Sequence, residues 1–253
     1  MTSVKGGGQR RPASQRPADR RRVPAWVIRV LTAAIILTAW ELYGRSVPAV
    51  LFVPPSAVVR AAVSLAQKSE LWEAVGISAG ALGAGFGIAL VAGLTLGLMI
   101  GYFRPVGFIA MPYVTFLYAV PYVALIPLFV ITLGIGFKVR LAVVVLSAVI
   151  PIIINTAAGV RGVQERYRDV SRVFCASTTQ TIRTVVLPAA TPMILSGIRI
   201  AIGHALVGVF SAEILTAQTG LGGLMVRFAN FFQTANLLVP LIAIVVECIV
   251  LSV

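Results

Sequence analysis

Charge is what this chain has least of. Only 11% of its 253 residues are Asp, Glu, Lys or Arg, about half of what a soluble domain of that size carries. With 58% of residues hydrophobic, a water-soluble globule is excluded and a membrane-embedded class remains. Two cysteines, Cys175 and Cys248, are too few for a disulfide framework, and both are expected as free thiols. A lone histidine, His204, has no partner ligands for a metal site, so none is expected. The three lysines, Lys5, Lys68 and Lys138, lack the Gly-x4-Gly-Lys-Ser/Thr context of a phosphate loop, so this chain is not its own ATPase. No Ser-His-Asp arrangement supports an enzyme. The formal charge of +13 is badly distributed for a nucleic-acid binder, since seven of the 21 Lys and Arg residues precede Val23.

What is present is apolar length. The expected class is an all-α integral membrane protein with six spans, at about 26–44, 75–101, 107–134, 139–159, 191–216 and 237–253. Residues 1–25 read as a disordered basic tail that keeps the N-terminus in the cytoplasm; such a tail is also able to bind nucleic acid or anionic lipid. Residues 26–253 read as one transmembrane domain, and no cleavage site marks a signal peptide. Trp26, Trp40 and Tyr43 sit where interfacial aromatics belong. Pro48, Pro54 and Pro55 mark an external loop, followed by a short surface helix over Ser56 to Gln67. The segment Ala74 to Phe103 is uncharged and carries Gly76, Gly80, Gly83, Gly87, Gly93, Gly97 and Gly101, a small-residue ridge for close helix packing.

Val106 to Phe137 is also uncharged but broken by Pro112, Pro121 and Pro127. One bent span is predicted, since freed carbonyls in lipid need protein or a wet cavity. Its middle makes Tyr118, Pro121 and Tyr122 candidates to line a translocation path. The fifth span adds Arg199, His204 and Glu213, because ionisable groups inside a membrane face protein or water. On a helical wheel Arg199 and Glu213 fall within about 40° of each other, with His204 on another side. The plainer roles remain open for each: a snorkelling arginine, a packed neutral histidine and a structural glutamate. Glu247 lies in the last span, whose abrupt end reads as a truncation.

The polar stretch Arg161 to Pro188 interrupts this pattern. Arg161, Arg166, Arg168, Arg172 and Arg183 stand against Glu165 and Asp169, which places the loop on the cytoplasmic side. Val163, Tyr167, Val170 and Phe174 recur at spacings of four, three and four, the mark of a one-sided helix. After the break at Cys175-Ala176, Ser177 and Gln180 form a capping box for a second short helix that stops at Pro188. From pattern alone this is equally a basic loop that merely fixes topology.

The loop resembles the Glu-Ala-Ala loop of permease subunits of binding-protein-dependent ABC importers. Asp169, Val170 and Ser171 stand at Glu-Ala-Ala, Cys175 at the glycine, and Val185, Leu187 and Pro188 at the Ile-x-Leu-Pro end, all at the family's spacing. Trp40-Glu41-Leu42, Phe52 to Val58, Phe210-Ser211-Ala212-Glu213 and Thr219 to Gly222 resemble signatures of the nitrate/sulfonate/taurine branch. The resemblance implies a type I importer permease fold in a bacterial inner membrane, with Asp169, Val170, Ser171, Cys175, Ala176, Ser177, Leu187 and Pro188 coupling to a cytoplasmic ATPase. It also implies a second permease copy, an external substrate-binding protein, and ATP with Mg used by the partner ATPase, with no cofactor on this chain. A small anion is the implied cargo. Cysteine resists the positive φ that glycine accepts at the corner, by ~1 kcal/mol, so a blunter corner, or one tuned to a particular ATPase, is expected. The rival readings are a nucleotide-independent transporter or channel, and a membrane scaffold recruited through its tail.

Overall fold

A computed structural model describes residues 24–163, 173–216 and 219–252. The tail, and the stretch 164–172 with Asp169, Val170 and Ser171, lie outside the described residues. Every described element is helical: α1 Ala25–Ser46, α2 Pro55–Ala66, α3 Ser69–Tyr102, α4 Arg104–Ala119, α5 Ile126–Leu133, α6 Phe137–Arg161, α7 Leu187–Thr216, α8 Gly220–Asn230 and α9 Thr234–Ser252. Four helical runs are long and apolar enough to cross a membrane, and five if the bent pair α4–α5 counts as one. Large apolar side chains face outward on every side, as with Phe108 at 85% and Ile131 at 82% exposure. Only a non-aqueous surrounding tolerates that.

The centre is a three-helix sandwich with α6 between α3 and α7. Gly85, Gly93, Gly97 and Gly101 of α3 lie against Val144, Ile152, Thr156 and Val160 of α6. These pairs advance in step, so α3 and α6 run parallel, and the chain between them crosses back through α4 and α5. On the other side Gly197 meets Asn155 and Gly208 meets Ser147, so α7 runs antiparallel to α6. By contrast α1 packs chiefly on α2.

The glycine ridge of α3 proves to be two rows. A Cβ at Gly76, Gly80, Gly83 or Gly87 would meet nothing within 4 Å. Gly83 and Gly85 are about 200° apart at ~100° per residue, so the first row points away from α6.

Pro121 breaks the third span. Val120 and Pro121 are extended, Tyr122–Leu125 forms a 3-10 turn, and α4 and the continuation to Leu133 are bent by 83°. Pro112 stays inside α4, while Pro127 falls in the first turn of α5, where a missing N–H costs nothing.

One element departs from expectation. The second short helix does not stop at Pro188: the turn Thr178–Thr181 continues through a π-helical segment, Ile182–Val186, into α7, giving one run over Thr178–Thr216. In the wide turn Leu187 N–H reaches Ile182 O, five residues back, which keeps the ring of Pro188 clear of the preceding turn.

Replacing Gly97 by valine drives a side chain into Thr156, whose Cβ lies 2.6 Å from the first added carbon. The expected loss is about 1–3 kcal/mol, read as a lower melting temperature in detergent. Gly80→Ala is expected within about 0.5 kcal/mol of the parent, and equal sensitivity at the two positions would contradict the two-row packing.

Candidate functional site

The polar loop emerges from α6 and re-enters at α7. Val173 and Phe174 are 80% and 78% exposed, a pair of large apolar side chains presented at the corner. Cys175 takes φ +52°, so the corner is as sharp as a glycine would make it, correcting the blunter turn expected above. The geometry of the loop overrides the Cβ penalty of ~1 kcal/mol. Beyond it Ser177 and Gln180 close the capping box reciprocally. Gln180 N–H donates to Ser177 Oγ at 3.3 Å, and Ser177 N–H donates to Gln180 Oε1 at 2.8 Å. Leu187 and Pro188 then follow the wide turn.

The corner is seated rather than free. Val186 is fully buried with Val160, Val163 and Ala190, flanked by Leu98, Tyr102 and Ile194. Arg161 Nη2 donates to Ile100 O at 3.3 Å. The residues on either side of the loop therefore engage the ends of α3, α6 and α7.

A second feature lies at the break in α4–α5. Tyr118, Pro121, Tyr122 and His204 line one cavity of about 340 Å³, with Ser147 and Pro151 on the α6 side. Both tyrosine rings approach the imidazole, at centroid distances of 6.3 and 6.4 Å. The two other path candidates do not line this cavity. Arg199 is exposed, and Glu213 is completely buried elsewhere.

Glu213 is the hub of a polar cluster. Ser78 Oγ lies 2.8 and 2.9 Å from its two carboxylate oxygens, and Gly222 N–H donates to Oε2 at 2.9 Å. Leu221 N–H donates to Ser78 Oγ at 2.9 Å, and Arg140 Nη1 to Thr219 Oγ1 at 2.6 Å. The carboxylate thus caps the first turn of α8 and ties α3, α7 and α8 together. Gly220 has φ +84°, and a Cβ there would land on the carboxylate. This explains glycine at 220 and makes Glu213 a structural residue in the geometry.

Sequence reading singled out both Glu213 and Thr219 to Gly222 without joining them. The signal was their proximity, a carboxylate seven residues before a Gly-x-Gly. Nothing local announced Ser78 or Arg140. A similar pairing was missed at α2, where Trp40 Nε1 donates to Val53 O and Glu41 accepts from Ser56 N–H and Oγ.

Residues 89–253 match the family described as "Binding-protein-dependent transport system inner membrane component". A putative aliphatic sulfonates transport permease protein of Bacillus subtilis (strain 168) is 31% identical over 224 residues, covering 88% of this chain and 81% of that protein. The taurine transport system permease protein of Escherichia coli (strain K12) is 28% identical, covering 85% and 80%. The nitrate import permease protein of Synechocystis sp. is 32% identical over 62% and 58%. A crystal structure of an amino acid ABC transporter with histidines shares the fold, with a TM-score of 0.56 and 16% identity over 75% of this chain and 91% of that one.

Two outcomes are expected. Cys175→Gly keeps the corner and gains up to ~1 kcal/mol, whereas Cys175→Val, β-branched at positive φ, destabilises it; limited proteolysis across 173–188 reads the difference, and indifference to both changes would refute the strained corner. Glu213→Ala strands the Ser78 and Gly222 donors at about 1–3 kcal/mol each. It should lower thermal stability far more than Gly203→Ala, where an added Cβ meets nothing within 4 Å.

Proposed function

The chain belongs to the binding-protein-dependent inner-membrane transport components, as a permease of the nitrate/sulfonate/taurine branch, and from that premise we propose how its parts serve import. The cargo is a small anion of the sulfonate, taurine or nitrate kind, in keeping with the relatives' names. Six spans cross the bilayer: α1, α3, the bent α4–α5 pair, α6, α7 and α9. The N-terminus lies inside and α2 and α8 lie outside, an arrangement supported by the arginine excess of residues 161–188. Two copies pair, and the translocation path runs beside Tyr118, Pro121, Tyr122 and His204. Tyrosine hydroxyls and an imidazole offer a passing anion hydrogen-bond donors without a fixed charge strong enough to trap it.

The driving force comes from elsewhere. A cytoplasmic ATPase pair, using ATP and Mg, closes against residues 161–188, with Asp169, Val170, Ser171, Cys175, Ala176, Ser177, Leu187 and Pro188 forming the contact. The observation that carries this reading is the burial of Val186 among the ends of α3, α6 and α7. A push on the loop reaches the second, fourth and fifth spans directly. An external binding protein delivers the cargo and this chain performs no chemistry of its own.

In membranes containing the assembled transporter, Asp169→Lys should cut uptake at least tenfold while ATP hydrolysis and membrane insertion persist. Unchanged uptake, or uptake by the purified chain without nucleotide or companion subunits, would overturn the coupling role.

A further inference from the structure

We propose that the cleft between the start of α3 and α8 is the seat of the external binding protein, and that the Glu213 tie makes α7 the rod carrying that contact inward. The inference rests on the importer reading and adds where and through what the partner acts. The cleft has a volume of about 380 Å³ and is lined by Glu70, Glu73, Thr219, Arg227, Asn230 and Phe231, among others. The 34 residues of α3 make a helix about 51 Å long, beyond the ~30 Å of hydrocarbon in a bilayer. Its first turns, with Glu70 and Glu73, stand clear on the side away from the coupling loop.

The lining chooses between occupants. Glu70 is ion-paired with Arg227, whereas Glu73 has no ion pair among the described residues. With Glu70 neutralised by Arg227, the unpaired Glu73 leaves the lining net negative, which disfavours a small anion as its occupant. Beside them Phe231 and Phe232 are 68% and 71% exposed. An acidic notch edged by exposed aromatics fits a protein surface that presents a basic side chain and an apolar contact.

The platform is held at two points, so a load on it is not lost in loop motion. One is the Glu70–Arg227 pair, and the other is the Ser78–Glu213–Gly222 cluster at the first turn of α8. From Glu213 one helical run leads back to Thr178, at the capped corner of the coupling loop. The outer platform and the inner corner are therefore opposite ends of a single rod.

The test uses the permease with its ATPase in nanodiscs, titrated with its own solute-binding protein while ATP hydrolysis is followed. Glu73→Lys and Asn230→Trp should each raise the half-stimulating concentration at least tenfold with basal hydrolysis unchanged. Arg60→Glu, on the exposed face of α2, should not. Ser78→Ala should leave that concentration within twofold but lower the maximal stimulation. Half-stimulating concentrations within twofold for both cleft variants, or an equal effect from Arg60→Glu, would overturn the seat. A full maximum in Ser78→Ala would overturn the rod. If the parent complex does not respond to any binding protein, the importer reading itself fails, which is a separate result.

Discussion

The hold on α6 at backbone distance from both sides is the constraint on which the rest of the molecule depends. Lipid gives helices no hydrophobic reason to associate, so they stay together where small residues allow close approach. Here α3 contributes Gly85, Gly93, Gly97 and Gly101, and α7 contributes Gly197 and Gly208. Larger side chains at these points would part the helices and open the interior. With α6 held on both flanks, α3, α6 and α7 behave as one body, to which the bent α4–α5 pair and the short helices α2 and α8 are attached.

Two short helices, α2 and α8, are fastened to that body by the same chemistry. A helix start leaves backbone N–H groups without partners, and a carboxylate in a spanning helix needs donors. Glu41 meets both needs at α2, accepting from Ser56 N–H at 3.1 Å and from its hydroxyl at 2.7 Å. Glu213 does so at α8 through Gly222 and Ser78. In each case the acid lies near the C-terminal end of a long apolar helix and the short helix follows in sequence. The positions that look chemically active in the sequence are, at these two sites, fasteners.

Local patterns in the residues were legible to the extent that their physics was local. The capping box at Ser177 and Gln180 appears where short-range rules put it, α2 starts at Pro55, one residue before the Ser56 start expected, and of the three prolines that interrupt the third span only Pro121 breaks it. The convergence of Tyr118, Tyr122 and His204 required two helices to meet, and the apolar flanks of the Pro121 break hinted at it. Three features were not legible. Ser78 joins Glu213 across more than a hundred residues, and no periodicity encodes that pairing. The positive φ of Cys175 is imposed by the loop against the preference of the residue. The glycines of α3 looked like one ridge because identity, unlike facing direction, is printed in the sequence.

The wide turn at Ile182–Val186 changes how this region tolerates alteration. It holds one more residue per turn than the helix around it, so the capped corner is out of phase with α7 by about 100° relative to an unbroken helix. Length and angular setting are thereby separable. Loss of one residue from 182–186 would shorten the chain by a fraction of a turn yet swivel Val173 and Phe174 to another bearing, so the azimuth of the corner, more than its reach, is what this segment encodes.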